Sequence, residues 1–314
     1  VNFQLVVGRI EGLLGIKGDI AAEEDDNEET THRTEETCTV GSTSVVFKDF
    51  TGYWSRNKEK ACLSNIDLVF KHGTLTAVIG KIGSGKSTFL LSFLKELPVT
   101  DGILSFSGKI AYVEQDPVIF SGTFRENILF GREYDDSLYR RVITDCNLLH
   151  DLERFSHGDQ TRIGERGVNL SGGQKARISL ARALYSQSDI YLLDDPFSAL
   201  DSKVSRNIFD RVLKGDFLKT KTVILVTHHL HFAKEADHVL LFQDGRIEGK
   251  GAFEELEKLG NSLLSVFKTD SNEEESEETE PKEDEKKKDS NNAVSKVEEK
   301  ETLDKPVEVT WQTY

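Results

Sequence analysis

The spacing of apolar positions in this 314-residue chain changes character several times. Val6, Ile10, Leu13 and Leu14 recur at roughly helical spacing, which predicts a short amphipathic helix within residues 1–18. Residues 19–43 hold few apolar positions. Alternating runs at 44–50 and 61–70 then read as strands, with TGYW and the polar loop SRNKEK between them. From Leu75 the pattern becomes continuous apolar runs, TLTAVIG, DIYLLD and TVILVTH, separated by stretches of helical periodicity. Phe89, Leu90, Phe93, Leu94 and Leu97 mark one helical face, and Pro98 is expected to end that helix. Residues 102–113 suggest a hairpin, and 123–186 read as mostly helical. Buried strands separated by helices predict a parallel sheet, so the fold class is α/β, with the folded region over 44–268.

Charge sharpens those boundaries. The formal net charge is −15, but residues 19–37 carry nine acids against one base and residues 270–305 carry fifteen against seven. Each segment nets −8, which leaves the remainder at about +1. The folded region is therefore near neutral and lacks the basic footprint of a nucleic-acid binder. Both acidic segments hold too little apolar surface to form a core, so 19–43 and 269–305 are expected to be disordered linkers. Residues 306–314 turn apolar and aromatic again, as though another ordered element were starting. Cys38, Cys62 and Cys146 are an odd, scattered set, which fits a reduced intracellular setting better than a disulfide framework. No run approaches the length of a membrane span, and no signal peptide opens the chain. The absence of any methionine points to an internal piece of a longer protein.

Two stretches carry recognisable chemistry. Gly80, Lys81, Ile82, Gly83, Ser84, Gly85, Lys86 and Ser87, followed by Thr88, form a glycine-rich turn between an apolar strand and a helix. Such a turn lets successive backbone N–H groups donate to phosphate oxygens, and the helix N-terminus adds partial positive charge. Lys86 is expected to hold the β- and γ-phosphates and Ser87 to give an oxygen to Mg²⁺. DIYLLD ends in Asp194 at the carboxyl end of a strand, where an open α/β sheet faces its ligand. Asp194 is expected to hold the Mg²⁺ water shell. The residue after it is a second aspartate, Asp195.

At Leu170, Ser171, Gly172, Gly173 and Gln174 the chain reads LSGGQ, which resembles the signature of ABC-transporter nucleotide-binding domains. Ser171 can cap a helix there, and the two glycines allow close backbone approach. YVEQDPVIFSGTFRENILFG, IGERGVNLSGGQKARISLARALY, IYLLDDPFSALD and ILVTHHL are similar to the first nucleotide-binding domain of subfamily C exporters, the multidrug-resistance-associated proteins. The short type, without an extra N-terminal membrane domain, looks nearest. The resemblance implies a P-loop NTPase core of RecA type with an antiparallel β subdomain and an α-helical subdomain over 123–168. It implies ATP and Mg²⁺ as cofactors. RIEGLL looks like the segment leaving one membrane domain, and VTWQTY like the approach to the next.

Residue by residue, the resemblance gives Trp54 as the adenine stack, with Tyr53 the fallback, and Gln115 as a γ-phosphate sensor acting through Mg²⁺. It gives His228 as the switch histidine, Asp201 as a dimer contact, and Glu126 and Asn127 as the place where a coupling helix meets the domain. Read without the family, Glu126 and Asn127 are a solvated helix start, and strand alternation sends His228 and His229 to opposite faces, which argues against a metal site shared with His231. The signature residues Ser171, Gly172, Gly173 and Gln174 would complete the site of a second domain paired head to tail. The expected whole is an ATP-driven exporter of organic anions or xenobiotics, partnered by membrane domains and a second nucleotide-binding domain of the same polypeptide. It would work at the cytoplasmic face of a membrane, the plasma membrane being the expected one. Glu usually stands where Asp195 does, so this site is expected to hydrolyse slowly. The alternative is a nucleotide-responsive regulatory module of a subfamily C channel or receptor. A DNA-repair or translation ATPase is disfavoured because residues 86–171 carry no sustained heptads and the core is not basic.

Overall fold

The computed structural model describes residues 45–258. The expected membrane-domain exit at 1–18, the linkers at 19–43 and 269–305, and the segment 306–314 lie outside those residues. Chain order gives β1 (Val45–Tyr53), β2 (Ala61–Phe70), β3 (Leu75–Gly80), α1 (Lys86–Phe93), β4 (Val99–Ser105), β5 (Ile110–Val113), β6 (Gly122–Thr123) and α2 (Phe124–Leu129). It continues with α3 (Asp136–Asp145), α4 (Leu149–Arg154), β7 (Arg162–Ile163), α5 (Gly172–Tyr185), β8 (Ile190–Asp194) and α6 (Ser202–Ile208). The last elements are β9 (Thr222–Val226), α7 (Leu230–Lys234), β10 (His238–Gln243), β11 (Arg246–Gly251) and α8 (Phe253–Lys258).

The main sheet runs β11-β10-β3-β9-β8-β5, parallel except for the edge strand β11. Its central strands β3, β8 and β9 are buried along their whole length, as a sheet covered on both faces requires. Alternate residues serve opposite faces. Tyr191, Leu193, Val223 and Leu225 pack with the helical side, while Ile190, Leu192, Ile224 and Val226 pack with α1 and the small sheet. That small sheet, β2-β1-β4, is antiparallel, and its strand β2 alternates buried with exposed positions. Phe47, Phe70, Phe89 and Phe93 join it to α1 through ring pairs 5.1–6.4 Å apart. The helix that follows the glycine-rich turn is thus anchored by aromatic contacts on its far side.

Two expectations fail here. Residues 102–113 are not a hairpin: β4 pairs with β1 in the small sheet, and β5 pairs with β8 in the main one. The segment crosses between layers, and its alternating pattern is the same in both settings. The first helix also ends earlier than Pro98, because Lys95 adopts a left-handed conformation (φ 56°) just beyond Leu94. Leu97 is buried from outside the helix. Among the described residues, no helix is long and apolar enough to cross a membrane.

Candidate functional site: the carboxyl ends of β3, β9, β8 and β5

Four neighbouring strands of the main sheet end at one level. Val78 on β3 pairs with Val226 on β9, Val226 with Asp194 on β8, and Leu193 with Val113 on β5. The residues just beyond these ends therefore share one rim: the turn from Gly80 to Ser87, Thr227 with His228, the pair Asp194 and Asp195, and Gln115. The sequence separates them by more than a hundred residues; the parallel register brings them together.

The turn itself is tightly determined. A β-carbon on Gly80 would stand 2.2 Å from the Phe242 carbonyl oxygen and 2.8 Å from Ser84 Oγ. Gly85 caps α1 at φ 104°, a conformation that favours glycine, and α1 has no side-chain cap. Its first-turn N–H groups therefore remain available to an anion. Lys86 is buried and its Nζ donates to the carbonyls of Gly80 (2.7 Å) and Lys81 (2.9 Å). Burial lowers its pKa, and the charges of Asp194 and Asp195 oppose that. Ile82 at the tip is 91% exposed, so it offers backbone rather than a packed side chain.

Asp194 is buried and accepts from the Tyr112 hydroxyl at 3.4 Å, and the Ser87 hydroxyl lies near enough to lower its pKa. Burial raises its carboxyl pKa, and Asp195 adds to the rise; Ser87, Tyr112 and Lys86 pull the other way. Ser87 and Asp194 are hard oxygen donors brought together beside a phosphate-ready turn, which suits Mg²⁺. A divalent cation would also relieve two carboxyls that burial pushes toward protonation.

Asp195 has φ 47°, a left-handed conformation that aspartate tolerates better than most residues. Its amide donates to the Val226 carbonyl (3.0 Å) and its carbonyl accepts from Ser198 Oγ (3.0 Å), so the backbone is held from both sides. The side chain is buried near the His228 amide, which lowers its pKa, while Oδ1 has no hydrogen-bond partner. Burial raises its pKa against the pull of the His228 and His229 rings. An unpaired buried oxygen costs about 1–3 kcal/mol. A polar group or water supplied with a ligand would recover it.

His228 and His229 lie beyond β9, in the turn into α7, so strand alternation does not govern them as expected. His229 packs edge-on to Phe232 instead. Gln115 is exposed two residues past β5. Trp54 is 49% exposed at the end of β1, not a core residue. The neighbouring Cys62 links it to the turn: its sulfur donates to Gly52 O (3.1 Å), and its carbonyl lies 3.5 Å from where a Gly85 β-carbon would be.

The signature residues form a separate region. Ser171 caps α5 through a reciprocal box, accepting from the Gln174 amide (3.2 Å) while its own amide donates to Gln174 Oε1 (2.9 Å). A β-carbon on Gly173 would stand 3.0 Å from Ala199 O, and one on Gly172 3.6 Å from Ala199 Cβ. These glycines pack on the loop after Asp195 and leave Ser171 exposed. The Gln174 side chain accepts from the Ser171 amide within this cap.

Residues 63–198 match the family model described as "ABC transporter". The chain is 44% identical over 248 residues to human ATP-binding cassette sub-family C member 4, covering 79% of this chain and 19% of that protein. It is 46% identical over 233 residues to ABC transporter C family member 9 of Arabidopsis thaliana, covering 70% and 15%. Against ABC transporter C family member 3 of Dictyostelium discoideum it is 43% identical over 231 residues, covering 72% and 16%.

The chain carries an ABC transporter domain.

Its relatives are subfamily C members, and it spans less than a quarter of their length. Within this ABC domain, two expected contact residues have ordinary structural partners. Asp201 caps α6 by accepting from the Val204 amide (2.9 Å). Asn127 is buried rather than solvated: its side chain bonds Phe120 and Thr123, and it also receives Arg182. Glu126 completes a capping box with Thr123, at the edge of a groove lined by Phe120, Phe130 and Gly131. Tyr112, which also holds Asp194, was not singled out from sequence; its place one residue before Val113 on the strand beside β8 was the available signal.

Proposed function

We propose that this chain is the first nucleotide-binding domain of a subfamily C exporter of the short type, and that it binds MgATP at the turn from Gly80 to Ser87. The observation that carries this is the uncapped start of α1 beside the Ser87–Asp194 contact. Lys86 leaves its carbonyl partners for the β- and γ-phosphates; the turn's amides, with Thr88 beside them, hold the remaining oxygens. Ser87, Asp194 and Gln115 would hold Mg²⁺, which would supply neutralisation of the charge developing on the phosphates. Trp54 stacks on the adenine and His228 contacts the γ-phosphate. Asp195 orients water, but its carboxylate sits about 1.5 Å further back than a glutamate's would. This site holds ATP longer than it cleaves it.

Ser171, Gly172 and Gly173, set by Gln174, face the ATP of a second nucleotide-binding domain paired head to tail. The whole polypeptide exports organic anions or xenobiotics from the cytoplasmic side of the plasma membrane. The short Asp195 side chain also favours a second reading, a nucleotide-responsive module of a channel or receptor with little turnover. Two measurements test these readings. Titration of the chain with MgATP yields saturable binding that Lys86→Ala weakens by about 2–5 kcal/mol; equal affinity in both chains refutes the site. Inside-out vesicles carrying the full polypeptide take up an anionic dye only with ATP. A nucleotide-gated ion current without dye uptake instead supports the second reading.

A further inference from the structure

Gln174 is held from both atoms of its amide, and the group on the nitrogen side lies outside the signature. Besides accepting from Ser171, it donates from Nε2 to Asp151 Oδ1 (2.9 Å) on α4. The other Asp151 oxygen accepts from Arg177 Nη1 (2.7 Å). Arg177 reaches two more acceptors: Nη1 donates to Asn147 O (2.6 Å), and Nε to Gly173 O (3.1 Å). Asp151 is buried, and Asn147 sits in a left-handed turn (φ 54°) between α3 and α4. One arginine thus ties the α3–α4 corner to a signature carbonyl, and one carboxylate ties α4 to the signature glutamine.

We infer that Asp151 and Arg177 are positioning residues that carry the orientation of the α3–α4 corner to the signature turn, through Gln174. This rests on the reading that the signature meets the nucleotide of a second domain. The capping box uses one lone pair of Ser171 Oγ and leaves the hydroxyl proton to be offered outward. Its direction follows the geometry of the box, and the box follows the side-chain torsions of Gln174. A capping box needs only the glutamine oxygen. Engaging the nitrogen with a buried carboxylate fixes those torsions, and Arg177 supplies the charge without which that carboxylate would be poorly tolerated. Arginine suits the task because its fork reaches a carboxylate and two carbonyls at once.

The test uses the 314-residue chain carrying Asp151→Asn, Arg177→Lys, Gln174→Ala or the Asp151→Asn/Gln174→Ala pair. Asparagine keeps the shape of Asp151 but offers a single acceptor oxygen to two donors. The expected results are unchanged MgATP affinity, about tenfold faster hydrogen exchange at the Ser171 and Gln174 amides, and about tenfold weaker MgATP-driven pairing of two copies. The double variant is no worse than Gln174→Ala alone, because the clamp acts through that side chain. Unchanged exchange in Asp151→Asn, or losses that add in the pair, overturn the inference. Should Asp151→Asn fail to fold, Arg177→Lys carries the same two readouts. Ser171→Arg blocks the signature directly and separates the two ideas. If it leaves pairing intact while Asp151→Asn speeds exchange, the cross-domain reading fails and the clamp stands. If it abolishes pairing and Asp151→Asn alters neither readout, the clamp fails and that reading stands.

Discussion

Two helices in this molecule begin at glycine-rich turns, and they begin differently. α1 starts at Gly85 in a left-handed conformation with no side-chain cap, while α5 starts at Ser171 inside a complete capping box. The first leaves its terminal amides without a side-chain cap; the second binds the Ser171 and Gln174 amides in its box and presents a serine hydroxyl. The surroundings differ in the same sense. Lys86, Asp194 and Asp195 are buried, and burial moves each pKa toward the neutral form. Ser171 is exposed, and its neighbours are already hydrogen-bonded. The α1 end is thus incomplete without an anion and a cation, whereas the α5 end is a finished surface. An uncapped terminus suits a ligand bound by its own chain, and a capped, exposed one suits a ligand brought by another.

The largest expected departure from this contrast comes at Asp195. Asp195→Glu advances the carboxylate by about 1.5 Å, and placement errors near 1 Å cost on the order of a hundredfold in rate. Single-turnover hydrolysis should therefore quicken by one to two orders of magnitude with nearly unchanged ATP affinity. An unaltered rate would remove the short side chain as a cause of the slow turnover proposed above. A smaller effect is expected at Trp54, where Trp54→Ala should weaken ATP binding by about 0.5–1.5 kcal/mol, roughly threefold to tenfold. The loss should be the same for GTP if stacking alone is involved.

The smallest effect concerns stability without nucleotide. Asp195 has its folded pKa raised above the ordinary 3.8, so the folded state holds the proton more tightly than the unfolded one. Its ionisation therefore costs nothing below the ordinary value, and stability is lost as pH rises from there through the raised value. Asp195→Asn lacks that loss. Thermal unfolding should show Asp195→Asn more stable by about 1 kcal/mol at pH 7, with the advantage vanishing at acidic pH. Saturating MgATP should narrow the gap by giving the wild-type carboxylate partners.

Much of this was legible in the sequence, because the phosphate turn, DIYLLD and LSGGQ are each local. A glycine pattern states what its own backbone must do, and the buried strands state their period. The remainder depends on partners far along the chain. GILSFSGKIAYV alternates equally well in a hairpin and in a crossover between two sheets, so its pairing was misread. Asn127 looked solvated because its burial comes from Phe120 and from Arg182, 55 residues away. The tie from Gln174 to Asp151 spans 23 residues and belongs to no motif. His228 was assigned to a strand that ends two residues before it, since local apolarity does not mark where a ladder stops.

The contrast between the two helix starts is tested most directly by MgATP titration of the monomeric chain carrying Lys86→Ala or Ser171→Arg. The account predicts that Lys86→Ala weakens binding by about 2–5 kcal/mol while Ser171→Arg leaves the affinity of the single chain unchanged. Loss of binding in Ser171→Arg, or wild-type affinity in Lys86→Ala, would contradict it.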